Sequence, residues 1–209
     1  MQFFQNRQRE EGTVVADSAL QIIRNEHAAL AAVLRSLDMM IAHGPGADPD
    51  RFFDVLRAML FYIDEFPERR HHPNETQLLF PRLVRLAPEL ETVIKQLDSD
   101  HHDGERKVRE LQHQLLAWEL IGESRREAFV TSAQEYVRFY LEHMRIEETR
   151  LLPAAARLFK PADLEELSRA FEKDRDPLAG GRRDPHFEAL FSRIVLAAPA
   201  PIGVGEAFR

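Results

Sequence analysis

The sequence contains no cysteine, although it runs to 209 residues. Disulfide bonds, thiolate zinc sites, iron–sulfur ligation and cysteine nucleophiles are therefore excluded. Any metal that the protein binds must take nitrogen and oxygen ligands, which histidine, aspartate and glutamate side chains supply.

Long apolar runs and an excess of positive charge are also missing. No segment of about 18 consecutive apolar residues occurs, so the sequence predicts no membrane span. The formal net charge is −7, which argues against nucleic acid or an anionic membrane as a partner. The first residues contain no continuous apolar segment of the kind found in secretory signals. We therefore expect a cytoplasmic protein.

One pattern is present twice. Residues 143–153 read His-x3-Glu-x3-Leu-Leu-Pro, and residues 71–81 read His-x3-Glu-x3-Leu-Phe-Pro. A histidine and a glutamate four residues apart lie on one face of a helix, so both can reach a single ion. The shared apolar and proline ending is more specific than the bare His-x3-Glu pair, which occurs a third time as His101 and Glu105.

Two further histidines extend the repeat. His27 precedes His71 by 44 residues, and His101 precedes His143 by 42. The chain thus reads as two similar halves, each giving one lone histidine and then one His-x3-Glu pair. His27, His101 and His143 occupy seams of apolar residues spaced three and four apart, which predicts that they point inward. Buried imidazoles and carboxylates would make a poor core unless a cation compensated them.

These residues resemble the hemerythrin-like, or HHE cation-binding, family, and the resemblance covers roughly residues 18–160. It implies a four-helix bundle with a non-haem di-iron centre between the helices. Carried across residue by residue, the resemblance implies six ligands. His27, His71, His101 and His143 would bind iron, and Glu75 and Glu147 would bridge two irons.

The sequence departs from the oxygen-carrying hemerythrins at two positions. Those proteins have a second histidine on the third metal-binding helix, where this chain has Glu105, and an aspartate five residues beyond their last histidine. Here Glu147 stands only four residues beyond His143. The set looks more like members linked to nitric oxide, peroxide or iron handling, without the cysteine-containing leader usual in di-iron repair proteins. Glu105 is a candidate seventh ligand, or else a solvated or supporting carboxylate.

The helical periodicity and its breaks predict an all-α fold, an antiparallel up-down four-helix bundle with short additional C-terminal helices. The first helix should begin at Asp17 or Ser18 and end at residues 44–46, and the third should run from Pro88 to Gly122. Ser124 should cap the fourth helix. We divide the chain into an N-terminal arm, the bundle and a C-terminal extension, at residues 1–16, 17–160 and 161–209. The apolar tail from Ala197 either docks along the bundle or forms a homodimer contact.

Prolines interrupt two of the predicted helices. Pro67 and Pro73 lack an amide hydrogen and crowd the preceding turn, which predicts a kink, a bulge or a short break around His71. His72 is therefore a local alternative to His71 as the ligand. Pro153 should likewise kink or end the fourth helix.

Three small or aromatic residues lie beside the candidate ligands. Gly104 leaves room next to His101, where a side chain would crowd a cofactor. Tyr140 and Tyr136 precede His143 by about one and two helical turns. They are core residues in one interpretation and hydrogen-bond donors to the ligands in the other.

Imidazole and carboxylate ligands together fit iron or manganese well, and zinc is a further alternative. Bridging glutamates count twice and an oxo or hydroxo group can bridge too, so a position for a small ligand would stay open. We therefore expect a di-iron protein that binds, senses or reduces dioxygen, nitric oxide or peroxide. The alternative is an iron-storage or iron-sensing module that contacts a partner without turnover.

Overall fold

The structure, a computed structural model, describes residues 18–182 and 185–205, and its elements there are all helical. The predicted N-terminal arm, residues 1–16, lies outside the described residues. The α-helices are α1 (Ala19–His43), α2 (Pro49–Ile63), α3 (His72–Asn74), α4 (Phe80–Leu86), α5 (Glu91–Ile121), α6 (Arg126–Ile146), α7 (Leu152–Leu158), α8 (Pro161–Lys173) and α9 (Glu188–Ala197). None of these described helices has the length and apolar character that crossing a membrane would require.

Segments of other helical types link these α-helices. π-Helical segments cover Asp64–His71, Glu75–Leu79 and Glu147–Leu151, and 3₁₀ turns cover Pro88–Leu90, Glu123–Arg125, Pro177–Ala179 and Pro185–Phe187. Pro67, Pro73 and Pro153 therefore do not end the helices that contain them. The chain widens into π-helical turns and continues, which confirms the predicted bulge around His71. Of the two outcomes predicted at Pro153, a kink or an end, the helix does not end there.

The sequence predicted most of the remaining helix boundaries. The Ser18 side chain accepts a hydrogen bond from the N–H of Gln21 at 3.3 Å and caps α1. Gly44 and Gly122 follow α1 and α5 with φ of 75° and 101°, a backbone region that favours glycine. The prediction that Ser124 caps the fourth helix is wrong, because residues 123–125 form a 3₁₀ turn and no side chain caps α6.

The long helices enclose two apolar clusters with a polar layer between them. Helix α1 packs against α2 and α6, and α5 packs against the same two helices. Leu30 of α1 belongs to one cluster and Ile23 to the other. His27 lies between these two residues in α1, and His101 lies in the same way between Leu97 and Val108 of α5. The histidines therefore lie where the two clusters meet.

The C-terminal extension contributes to the core. Helix α8 packs on α1 and adds Phe171 to one cluster, whereas α9 packs on α2 and adds Phe191 to the other. Ser36 of α1 holds the tail, because its hydroxyl donates to the carbonyl of Pro199 at 2.9 Å and accepts from the N–H of Ile202 at 3.2 Å. The described part of the tail thus docks along the bundle.

Asp176 ties the extension to the buried layer. Its carboxylate accepts hydrogen bonds from the Tyr62 hydroxyl and from the N–H of Leu178, and its own N–H donates to Glu26 Oε1 at 2.9 Å. Burial raises the pKa of Asp176 to about 6, although the hydrogen bonds from Tyr62 and Leu178 act in the opposite direction. A carboxyl group of the extension is therefore buried close to the bundle's polar layer.

Replacing Phe171 with alanine should lower the free energy of unfolding by about 3–5 kcal/mol, because a large buried ring leaves a cavity. The ring is 1% exposed. Leu196→Ala, in the same extension but 66% exposed, should change it by less than about 0.5 kcal/mol. Urea unfolding of both variants tests this, and equal losses would contradict the role of α8 in the core.

The effect of Asp176→Asn on stability should depend on pH. Because folding raises the pKa of Asp176 to about 6 from 3.8, the folded state favours the protonated carboxyl group. Wild-type protein therefore gains stability as the pH falls through 6, and asparagine, which does not titrate, gives no such gain. The stability of the variant relative to wild type should fall by about 1 kcal/mol between about pH 7.5 and about pH 5. Urea unfolding at both pH values measures this, and a constant difference would contradict the burial of this carboxyl group.

Candidate metal centre

Seven metal-binding side chains converge between the two apolar clusters. They come from α1, from the stretch that contains α3, from α5, and from α6 with the π-helical segment after it. Each residue is at most 7% exposed. The seven are His27, His71, His72, Glu75, His101, His143 and Glu147. The structure thus brings together the six residues of the family resemblance and adds His72.

The five histidines form two groups. In the first, His27 Nε2 and His71 Nε2 lie 3.2 Å apart. In the second, His101 Nε2 and His143 Nε2 lie 3.1 Å apart, and the ring of His72 stacks on that of His101 with centroids 4.2 Å apart. Ligand atoms of His72, His101, His143 and Glu75 lie within 4.8 Å of one another. The arrangement offers two neighbouring metal positions, one beside two histidines and one beside three.

The two glutamates span these groups. Glu75 places Oε1 3.3 Å from His71 Nε2 and Oε2 3.5 Å from His101 Nε2. Glu147 places Oε2 3.3 Å from His27 Nε2 and Oε1 3.4 Å from His143 Nε2. Each carboxylate therefore directs one oxygen towards each group, as a bridging ligand would.

These carboxylates are buried without hydrogen-bond donors. Within residues 18–182 and 185–205, all four oxygens of Glu75 and Glu147 lack a donor with hydrogen-bond geometry. Taking a single carboxylate out of water costs several kcal/mol unless an opposite charge compensates it. Metal cations between the carboxylates and the imidazoles would provide this charge, so the residues fit a metal centre.

Every histidine of the centre is also held from its far side. Four of the five Nδ1–H groups donate directly to a carboxylate: His27 to Glu148 at 3.1 Å, His71 to Glu26 at 2.6 Å, His72 to Glu68 at 3.0 Å and His143 to Asp100 at 3.5 Å. Metal-binding histidines commonly donate their second N–H to such an acceptor, which fixes the ring orientation and the tautomer. The outer carboxylates leave each Nε2 free to face the centre.

His101 reaches its carboxylate through a hydroxyl group. Its Nδ1–H donates to Thr76 Oγ1 at 2.9 Å, and the Thr76 hydroxyl donates in turn to Asp98 at 2.9 Å. Thr76 follows Glu75 directly, so one turn supplies both a central ligand and the support for another. The Nδ1–H of His101 is therefore also linked to a carboxylate, as in the other four histidines, but through the Thr76 hydroxyl.

The electric field favours positive charge at His27 and His143, whereas burial and the neighbouring histidines lower the pKa of His72 and His101 well below the usual value. Burial lowers the pKa of His27, but Glu147 and Glu148 outweigh burial and raise it overall. Burial also opposes the charged form of His143, yet Glu147 and Asp100 raise its pKa to about 10. The pKa of Glu147 lies well below its usual range, because His143 and His27 overcome the effect of burial. A site that stabilises imidazolium in this way also stabilises a metal cation.

The two halves of the repeat share a local backbone feature. Each glutamate begins a π-helical turn, in which Phe80 N–H donates to the carbonyl of Glu75 and Leu152 N–H donates to that of Glu147. Pro81 and Pro153 follow directly, and a proline ring crowds the turn before it. Such π-turns are rare and frequent at functional sites. The proline of the repeated motif thus marks a widened turn at each of the two buried glutamates.

His71 and His72 are both directed into the centre, which corrects their treatment as alternatives. His71 ends one π-helical segment and His72 begins α3. His71 lies in the first group with His27, whereas His72 lies in the second with His101 and His143. Neighbouring residues of a regular α-helix point about 100° apart, so only one of them was expected to face the centre. The adjacent histidines at positions 71 and 72 were the feature of the sequence that could have indicated that both face the centre.

Glu105, the candidate seventh ligand, lies outside the centre, whereas His72 lies within it. The Glu105 side chain is 44% exposed and accepts a hydrogen bond from Arg109, one turn further along α5. Helix α5 is regular here, and a residue four positions on is rotated by about 40° from the starting face. That rotation carries Glu105 to the surface. His102 is exposed as well, as its neighbouring position to His101 predicted.

Tyr136 and Tyr140 support the centre through Glu68. Both hydroxyls donate to Glu68 Oε1, at 3.0 and 2.6 Å, while Glu68 Oε2 accepts from His72. Burial raises the pKa of Glu68 to about 7 against the effect of these hydroxyls. A Cβ atom on Gly104 would lie 1.7 Å from the Tyr140 hydroxyl. The space beside Gly104 is therefore filled by Tyr140, which corrects the prediction that it accommodates a cofactor.

Comparison with known proteins agrees with this geometry. The sequence model of a family described as the Hemerythrin HHE cation binding domain matches residues 18–155. No curated protein matches the chain. The matched range contains all seven side chains of the centre and ends before α8.

Gly104→Ala should destabilise the protein by about 1–3 kcal/mol, because the new methyl group overlaps the buried Tyr140 hydroxyl. Removing that hydroxyl should relieve the closest overlap, although the ring Cζ atom would still lie 2.6 Å from the new Cβ. Gly104→Ala combined with Tyr140→Phe should therefore regain part of the stability that Gly104→Ala alone loses. Thermal unfolding of the two single variants and the double variant measures the coupling. Strictly additive effects would contradict the contact between Gly104 and Tyr140.

Proposed function

Because this chain belongs to the hemerythrin HHE cation-binding domain family, we propose that its buried histidines and glutamates hold a pair of iron ions. The iron pair would bind, sense or reduce a small ligand, namely dioxygen, nitric oxide or peroxide. The observation that carries this proposal is the pair of buried carboxylates, Glu75 and Glu147, which span two groups of imidazole nitrogens without any donor of their own among the described residues.

The ligand count favours two unequal metal positions. His72, His101 and His143 would serve one ion, and His27 and His71 would serve the other. Glu75 and Glu147 would bridge both ions, and an oxo or hydroxo group could complete the bridge. The first ion would then have six ligands and the second five. An exchangeable position is thus expected on the side of His27 and His71.

The donor set supports iron as the metal. Five imidazoles and two carboxylates combine intermediate and hard ligands, which suits iron and manganese, while zinc usually takes four ligands in a closed structural site. When bound, the iron pair would supply a Lewis-acidic, redox-active position for ligand exchange.

The chain's own residues would orient the histidine ligands and keep bulk water away from the metal ions. The outer carboxylates keep the Nδ1 protons in place, so that a metal ion could replace the proton on Nε2 and bind there. The apolar clusters on both sides of the centre keep bulk water away. A buried, preorganised site of this kind suits a ligand of a few atoms better than a large substrate.

The wider architecture is part of the same proposal. We take the four long helical stretches as an antiparallel up-down bundle, which the packing of α1 and α5 against α2 and α6 supports. Residues 161–182 and 185–205 then form an extension docked on that bundle. The net charge of −7 argues against a nucleic-acid partner, and a cytoplasmic location stays part of the proposal.

Purified protein loaded anaerobically with ferrous iron should bind about two iron ions per chain. His101→Ala should lower the bound iron by half or more, because it removes a ligand from the three-histidine group. His102→Ala is the matched control, since this neighbour is exposed on α5, and it should leave iron content unchanged. Iron analysis of the folded variants measures this, and equal iron content in both would contradict the assignment.

Reactivity with small ligands distinguishes the proposed function from its alternative, iron storage or sensing without turnover. Iron-loaded protein should change its visible absorption on exposure to at least one of dioxygen, nitric oxide and hydrogen peroxide. A protein that takes up iron and responds to none of the three would instead support iron storage or sensing without turnover.

A further inference from the structure

A segment of the C-terminal extension crosses the side of the centre that holds only two histidines. We call residues 174–179 the C-terminal strap. The N–H of Asp176 donates to Glu26 Oε1 at 2.9 Å, and Glu26 Oε2 accepts from His71 Nδ1 at 2.6 Å. The strap lies outside the family match, which ends at residue 155. This chain therefore adds its own cover to the position where ligand exchange is expected.

The strap closes over a small cavity beside both histidines. The cavity has a volume of about 10 Å³, and His27, His71, Leu30 and Phe66 form part of its wall. A space of this size holds about one water molecule. Only a ligand of very few atoms can therefore pass without displacing the strap.

Three carboxyl groups line the same cavity, and two of them belong to the strap. They are Glu26, Asp174 and Asp176. Asp176 is 5% exposed and Glu26 is 6% exposed, so water screens their charges only weakly. The fully buried Glu75 adds a further carboxylate, with Oε1 3.3 Å from His71 Nε2. An approaching anion would meet charge of its own sign, whereas an uncharged ligand would not.

We propose that the C-terminal strap selects small, uncharged ligands for the two-histidine side of the centre and that Asp176 is a specificity-determining residue. The inference rests on the proposed function, because it concerns access to the iron pair. It adds a selection by charge, in which neutral molecules such as nitric oxide, dioxygen or hydrogen peroxide reach the two-histidine side more readily than anions do.

The test compares an anionic probe with a neutral one. Azide is titrated into oxidised, iron-loaded protein, and nitric oxide into the reduced protein, both at about pH 7.5 and followed by visible absorption. Asp176→Asn keeps the side-chain shape and removes the charge, so azide should bind about tenfold more tightly. The affinity for nitric oxide should change less than about twofold, because nitric oxide carries no charge.

A matched control distinguishes the effect of charge at the cavity from the effect of the protein's overall charge. Glu165→Gln makes the same change of charge on α8, where Glu165 is exposed and paired with Arg169, and it should alter neither affinity. Asp174→Asn provides a second variant at the same cavity if Asp176→Asn does not fold, and it should also strengthen azide binding.

The outcomes distinguish this inference from the function on which it rests. Unchanged azide affinity in the cavity variants would overturn the selection by charge, as would equal strengthening of azide and nitric oxide binding. Wild-type protein that binds no iron would instead overturn the proposed function. Tighter azide binding in Glu165→Gln would also overturn the inference, because the effect would then follow overall charge.

Discussion

Two buried carboxylates, Glu75 and Glu147, impose the constraint on which the rest of this bundle depends. Neither has a hydrogen-bond donor among the described residues, and both face imidazole nitrogens. Burying such groups without compensation would cost a large part of the stability of an ordinary domain. A pair of cations would remove this cost, and we propose that the surrounding structure holds them.

Several parts of the structure hold and enclose the two buried carboxylates and the histidines that face them. Two apolar clusters enclose the polar layer from either end, and the outer carboxylates and Thr76 fix the histidine rings from behind. The π-helical turns at Glu75 and Glu147 widen the helix at the points where a regular one would carry side chains past the centre. The C-terminal strap then covers the side with fewer ligands. Stability, ligand geometry and access are thus controlled by different parts of the chain.

The sequence predicted the helices and most of the centre because both depend on spacing. Apolar steps of three and four placed His27, His101 and His143 inward, and the repeated motif paired His71 with Glu75. The structure places His72 in the centre and Glu105 outside it, which residue spacing alone did not decide. The π-helical turns bring His72 inward, whereas the regular turn of α5 leaves Glu105 at the surface.

The outer partners and the strap could not be read from spacing. Glu26, Glu68 and Asp176 come from separate parts of the chain, and only the folded packing brings them to the histidines and to one another. The central claim is that seven side chains hold two metal ions side by side. Crystals of iron-loaded protein, measured with anomalous diffraction at the iron edge, test it most directly. The account predicts two peaks about 3.5 Å apart between Glu75 and Glu147, and a single peak, or iron bound elsewhere on the chain, would contradict it.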